Sequence, residues 1–172
     1  DLIGPLVEQI REARGVQRIE VAGSYRRRKE TIGDVDLLVQ ANLPAPDVME
    51  RFTTFGSVER VDLAGDTRGA VVLRSGLGVD LHVIPPRSFG AALYYFTGSM
   101  EHNVAVCQLA LRQGLRVNEW GVFHLPEGVD PEEVGKEDGE RIAGDTEESV
   151  FEAVGLPWIP PVVRENRGEI EA

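Results

Sequence analysis

The stretch GSYRRRKETIGDVDLLV, residues 23–39, decides how this chain is read. Within it, Asp34 and Asp36 stand one residue apart at the head of an apolar run. In an extended strand, residues i and i+2 point to the same face, so both carboxylates reach into one small space at the start of the strand. Two like charges ~5–6 Å apart repel by roughly 3 kcal/mol at an effective dielectric of 20, a cost that bound cations relieve. A solvated strand edge can carry the same pair. The residues before it favour the functional reading. Gly23 and Ser24 close a strand predicted over 17–22 and form a turn whose N–H groups and hydroxyl suit a phosphate, and Arg26, Arg27 and Arg28 follow at once.

A third acid extends the pattern. The stretch VDLHVI, residues 79–84, alternates apolar and polar as a half-buried strand does, with Asp80 near its start. Two neighbouring strands would gather Asp34, Asp36 and Asp80. Oxygen-only ligands suit hard Mg2+ or Mn2+, which bind through a few carboxylates together with water and substrate phosphates. The chemistry of such a site is phosphoryl or nucleotidyl transfer.

Outward from this centre the pattern alternates helices and strands. Leu2, Ile3, Leu6, Val7 and Ile10 follow helical spacing and predict an amphipathic first helix packed on a sheet. Beyond the strand at 34–39, Ala45-Pro46-Asp47 opens a helix to about Phe55, with Asp47 expected as its N-cap. Strands are expected near 57–62, 69–73 and 78–84, separated by glycine-rich turns. Pro85 and Pro86 stop the third-carboxylate strand, and Ser88 is expected to cap a helix to about Phe96. Gly98 breaks that helix. A second runs from Ser99 to Gln113, with Val104, Ala105, Leu109 and Leu111 expected partly inward and Gly114 ending it. Short strands follow near 115–117 and 121–123, then a capping box at Asp145–Glu148 for a last helix through Val154, and a proline-rich exit at Pro157, Pro160 and Pro161.

Composition bounds the function. A chain of 172 residues with 42% hydrophobic content can bury one moderate core, or a core and a small satellite domain. No apolar run approaches the ~20 residues that span a bilayer, and the first residues lack the basic start of a signal peptide. The single cysteine, Cys107, cannot form an internal disulfide, which fits a cytoplasmic location; it is read as a small buried hydrophobe. A net charge of −11 argues against a chain that grips DNA by itself, since Lys and Arg supply most non-specific affinity. The imbalance is local: residues 1–100 hold 12 basic and 13 acidic side chains, and residues 101–172 hold 6 and 16. The acidic stretch from Glu127 to Glu148 is read as a solvated surface. His102 and His124 lack the tight spacing of a zinc site, and Trp120 and Trp158 read as anchors.

The spacing of Gly23-Ser24, ten residues further on Asp34-x-Asp36, and a later third carboxylate resembles the nucleotidyltransferase signature. The wider resemblance is to the family X DNA polymerases, in particular their bacterial and archaeal branch. YFTGS at 95–99 is similar to that family's palm–fingers junction, and EHN at 101–103, NEWGVF at 118–123 and GLPWIPP at 155–161 agree further, so the likeness covers nearly the whole chain. It implies a nucleotidyltransferase-type α+β fold, with a palm over residues 1–97, a mixed sheet flanked by helices, and a small α+β fingers domain over 98–172 with an extended exit. It implies templated addition of deoxynucleotides to a primer 3′-hydroxyl in DNA repair, on primer-template DNA and deoxynucleoside triphosphates.

Site roles follow from the same resemblance. Asp34, Asp36 and Asp80 would hold two Mg2+ or Mn2+ ions. Gly23, Ser24, Arg27 and Gly33 match triphosphate-contacting positions, whereas Arg26, Arg28 and Lys29 read as an exposed basic turn. Tyr95, Phe96 and Gly98 would lie beneath the ribose and exclude a 2′-hydroxyl by bulk, with a cis peptide between Gly98 and Ser99. Asn103 would make the minor-groove contact to the base. Helix-hairpin-helix segments would precede the chain and a phosphoesterase-like domain would follow it. Two departures stand out: His82 and Cys107 occupy positions where bacterial relatives often carry arginine, the first of which restrains a catalytic carboxylate in the family. A template-independent or small-substrate nucleotidyltransferase shares the first motif, and a non-catalytic DNA-end-binding module is the alternative outside the enzymes.

Overall fold

The computed structural model describes residues 3–29, 34–128, 130 and 135–171, and it divides into two compact units. The first takes the chain up to Tyr25 and the stretch ending at Pro86; the second takes residues 26–29 together with Arg87 onward. By packing, then, the helix that carries Tyr95 goes with the second unit.

The first unit is a five-stranded mixed sheet in the order β1-β2-β5-β4-β3. Its elements are α1 (Gly4–Arg11), β1 (Val16–Val21), the single turn α2 (Gly23–Arg26, completed by a residue of the second unit), β2 (Asp34–Ala41), α3 (Pro46–Thr53), β3 (Val58–Ala64), β4 (Arg68–Leu73) and β5 (Gly78–Ile84). Only β2 and β5 are parallel; β1–β2, β4–β5 and β3–β4 are antiparallel. Alternation of side chains decides what each face does. Val35, Leu37 and Val39 of β2 and Val79, Leu81 and Val83 of β5 pack with Leu6 and Ile10 of α1 and with Val48 and Phe52 of α3. The intervening residues, among them Asp34, Asp36, Asp80 and His82, therefore fall on the face turned away from those helices.

Helix α3 corrects one expectation. Ala45 occupies the N-cap without a side-chain bond and Pro46 begins the helix, so its fixed φ and missing N–H sit where neither costs anything. Asp47 lies within the first turn instead. Its carboxylate accepts the backbone N–H of Arg14 at 2.9 Å and Nε of Arg51 at 3.4 Å, and the Arg14 hydrogen bond leads the influences that lower its pKa.

The second unit contains α4 (Phe89–Thr97), α5 (Met100–Arg112), a three-stranded antiparallel sheet of β6 (Leu115–Asn118), β7 (Gly121–His124) and β8 (Glu140–Ala143), and α6 (Glu147–Ala153). Its core gathers Tyr94, Val106, Ala110, Val122, Val150 and Phe151. Tyr94 meets Phe151 edge-on at 5.3 Å between centroids. Helix α5 buries His102, Val106 and Ala110; of the residues expected partly inward, Ala105 and Leu109 are half-buried, whereas Val104 and Leu111 are exposed. His102, fully buried, meets Glu169 Oε1 through Nδ1 at 3.3 Å, while its Nε2 has no hydrogen bond among the described residues. Strand β8 lies inside the acidic stretch read as solvated surface. The cap of α6 is also displaced, for Thr146 accepts the N–H of Ser149. Cys107 is half-buried, and burial raises its thiol pKa. Among the described residues, no helix is long and apolar enough to cross a membrane.

Candidate active site

In the first unit, the parallel pairing of β2 with β5 sets Asp36 beside Asp80 and Asp34 beside Gly78. Parallel strands in register point opposed residues to the same face, so the three acids share one side of the sheet. The charge crowding is visible in Asp80. Partial burial raises its pKa, the Asp36 and Asp34 carboxylates raise it further, and only His82 and Arg68 pull the other way.

Each neighbouring acid has its own resting place. Asp36 Oδ1 lies 3.4 Å from His82 Nε2, at the position where the polymerase resemblance expects arginine. Asp34 folds over Gly78 so closely that a Cβ there would collide with its Oδ1. Gly78 is a site residue that sequence reasoning passed over as turn punctuation; its signal is a register readable only after strand pairing. Among the described residues, no three His, Cys, Asp or Glu side chains close around a common point, because Asp36 leans toward His82 and Asp34 toward Gly78. The donor set is carboxylate oxygen on one face with mutual repulsion recorded in Asp80, which fits a hard divalent cation.

Gly23 and Ser24 sit half-buried in α2, directly after β1, and Gly23 has φ +68°. Gly33, the remaining triphosphate position, lies outside the described residues.

The second unit holds the other predicted residues. Arg27 is mostly buried and fixed on two edges: Nε donates to Glu165 Oε1 at 3.0 Å and Nη1 donates to the Thr97 carbonyl at 2.5 Å. Gly98, with φ +69°, follows Thr97, and a Cβ there would press on Arg27 Nη1 at 3.1 Å. The Gly98–Ser99 peptide is cis, as the resemblance implies. Ser99 N–H donates to the Arg164 carbonyl at 2.9 Å, and Ser99 Oγ caps α5 by accepting the N–H of His102. Tyr95 and Phe96 meet edge-on at 5.3 Å, with Tyr95 exposed. Asn103 Nδ2 donates to the Tyr95 carbonyl at 2.8 Å, leaving its buried Oδ1 without a hydrogen bond among the described residues.

Arg26 overturns the exposed-turn expectation, unlike Arg28 and Lys29, which are exposed. Its guanidinium grips both oxygens of Glu147 at 2.6 and 2.9 Å and donates to Thr97 Oγ1 at 2.8 Å. Glu147 is 4% exposed and also accepts from Arg164 Nη1 at 2.7 Å and Trp158 Nε1 at 2.8 Å. Burial alone would push the Glu147 carboxyl up, but the hydrogen bonds from Arg26 and Arg164 outweigh it and hold the pKa at about 2. Arg164 is fully buried, with Nε on the Ile159 carbonyl and its guanidinium 5.0 Å from the Phe151 ring centroid. Nothing in the sequence signals this network, whose members lie up to 138 positions apart.

Comparison with known proteins agrees with this arrangement. The family model described as DNA polymerase beta palm matches residues 3–58, and that described as DNA polymerase beta thumb matches residues 92–165. The portion expected as fingers thus matches what the family description calls the thumb. The chain is 33% identical over 152 residues to the DNA polymerase/3'-5' exonuclease PolX of Bacillus subtilis, covering 87% of this chain and 25% of that protein. It is 31% identical over 164 residues to DNA polymerase lambda of Rattus norvegicus, covering 83% and 28%. The chain therefore spans about a quarter of the length of those curated relatives. Among solved structures it resembles Leishmania infantum polymerase beta in a ternary gap complex, with TM-score 0.77, 26% identity, and coverage of 93% of this chain and 66% of that one. The ternary primer/template complex of the same protein gives TM-score 0.75, 28% identity, and coverage of 93% and 72%.

Proposed function

The chain belongs to the family X DNA polymerases, and on that premise we propose that it carries the catalytic portion of a DNA-directed DNA polymerase acting in DNA repair. One relationship supports this above all: Asp36 and Asp80 are register partners on parallel strands, with Asp34 at the same sheet end.

Asp34, Asp36 and Asp80 would hold two Mg2+ or Mn2+ ions, which when bound lower the pKa of the primer 3′-hydroxyl and neutralise phosphate charge. The chain's own groups do the rest. The three carboxylates, repelling one another when bare, bind the cations that relieve them. Ser24 and Arg27 bind the triphosphate, where a guanidinium fork offers directed donors to phosphate oxygens. Tyr95, Phe96 and the Gly98 backbone bound the sugar and leave no room for a 2′-hydroxyl. Asn103 exchanges its Tyr95 carbonyl for the minor-groove edge of the base, where acceptors are common to all pairs. Attack by the primer oxygen then releases pyrophosphate in line.

A net charge of −11 leaves most DNA affinity to partner segments, for which helix-hairpin-helix units ahead and a phosphoesterase-like domain behind are the proposal, in a cytoplasmic protein. Extension of a primer by the full-length protein tests the activity: template-directed addition supports it. Equal addition with and without template would point to a template-independent transferase. DNA-end binding without addition would point to a binding module.

A further inference from the structure

Thr97, at the end of α4, is held by two arginines at once: Arg26 donates to its Oγ1 and Arg27 to its carbonyl. Each arginine is itself held by one acid, Arg26 by Glu147 and Arg27 by Glu165. The Glu147 arm is a buried network that also includes Arg164 and Trp158. The Glu165 arm is simpler. It is one carboxylate on one guanidinium edge at 3.0 Å, with Glu165 22% exposed and Arg27 15% exposed. The side chain of Glu165 is spent on Arg27.

We propose that Glu165 is a positioning residue for the nucleotide: by holding Nε of Arg27 it fixes where the guanidinium meets both the triphosphate and the Thr97–Gly98 backbone. The inference rests on the assignment of Arg27 as a triphosphate contact. An arginine has five donors in a rigid planar fork, so fixing one edge fixes the direction of the others. With Nε on Glu165 and Nη1 on Thr97, the orientation of the plane is set before any ligand arrives, and the ordering cost of binding falls. The same plane abuts Gly98, whose added Cβ would touch Nη1. A guanidinium that swings therefore loosens the floor under the sugar as well as the grip on phosphate. Glu165 controls affinity and sugar choice together.

The test is direct binding of a deoxynucleoside triphosphate and its ribonucleotide counterpart, with Mn2+, by calorimetry on the full-length protein, with primer extension measured alongside. Glu165→Gln keeps the shape and removes the charge. The expected result is deoxynucleotide binding weakened about tenfold, a deoxy-to-ribo preference reduced several-fold, and a thermal midpoint within a few degrees of the parent. In extension, KM for nucleotide rises while KM for primer and kcat hold. In the Arg27→Ala background, Glu165→Gln is expected to change nothing further, since the acid acts only through that arginine. Unchanged binding and preference in Glu165→Gln would overturn the inference, as would an effect that persists in full beside Arg27→Ala. Glu165→Asp, shorter but charged, is expected to restore part of the affinity, and no restoration would count against a charge-held edge. Absence of templated extension by the parent would defeat the polymerase assignment while the binding arms still decide the role of Glu165.

Discussion

Asp36 and Asp80 face the same side of the sheet as register partners on β2 and β5, and burial together with the Asp36 and Asp34 carboxylates opposes the charge of Asp80. An uncompensated repulsion destabilises the cation-free fold. Asp80→Asn is therefore expected to raise the thermal midpoint in chelator-containing buffer at neutral pH, and to lose the stabilisation that added Mn2+ gives the parent. Differential scanning fluorimetry with and without the ion reads both effects.

A side chain at Gly78 would meet the Asp34 carboxylate. The Gly78 Cα lies under that carboxylate, and a methyl group would displace the acid. Gly78→Ala is expected to keep the fold, with a stability change within about 1 kcal/mol because the atoms it displaces belong to the Asp34 side chain and not to backbone, yet to reduce metal-dependent extension at least tenfold. Activity titrated against Mn2+ checks it, with the loss partly recovered at high metal.

Glu147 gives a pH signature. Its folded pKa of about 2 lies below the ordinary value of 4.5, so it stabilises the protein above about pH 4.5, and that stability is lost as pH falls through the folded value. Glu147→Gln leaves Arg26 and Arg164 without their anion and is expected to cost on the order of 3–5 kcal/mol at neutral pH. The parent-minus-variant difference is expected to shrink as pH drops from 4.5 toward 2. Urea unfolding at a series of pH values measures it.

Phe52 of α3 is fully buried against the sheet of the first unit. Phe52→Ala is expected to destabilise by about 3–5 kcal/mol through lost burial and the cavity left behind. Equilibrium unfolding gives the number.

How much of this was legible beforehand depends on the range of the interaction. The alternation around Asp34, Asp36 and Asp80 is local, and a period of two carries it directly into a shared face. The strands of the first unit followed for the same reason. Asp47 was misplaced at the cap because Pro46 can open a helix unaided and the carboxylate found Arg14 instead. The face of α5 was legible only in part: Ala105 and Leu109 are half-buried, but Val104 and Leu111 are exposed, and the buried His102 meets through Nδ1 a carboxylate, Glu169, 67 positions along the chain. Strand β8 is four residues in an acidic stretch, too short for a pattern. Arg26–Glu147 and Arg27–Glu165 join residues 121 and 138 positions apart, and no spacing rule reaches that far.

The division of labour among the acids is tested most directly by single-turnover primer extension by Asp80→Ala in the full-length protein, with nucleotide affinity measured on the same sample. A rate reduced a thousandfold or more with affinity kept within a few-fold is the predicted result. Extension that survives the substitution, or rate and affinity that fall in parallel, would contradict it.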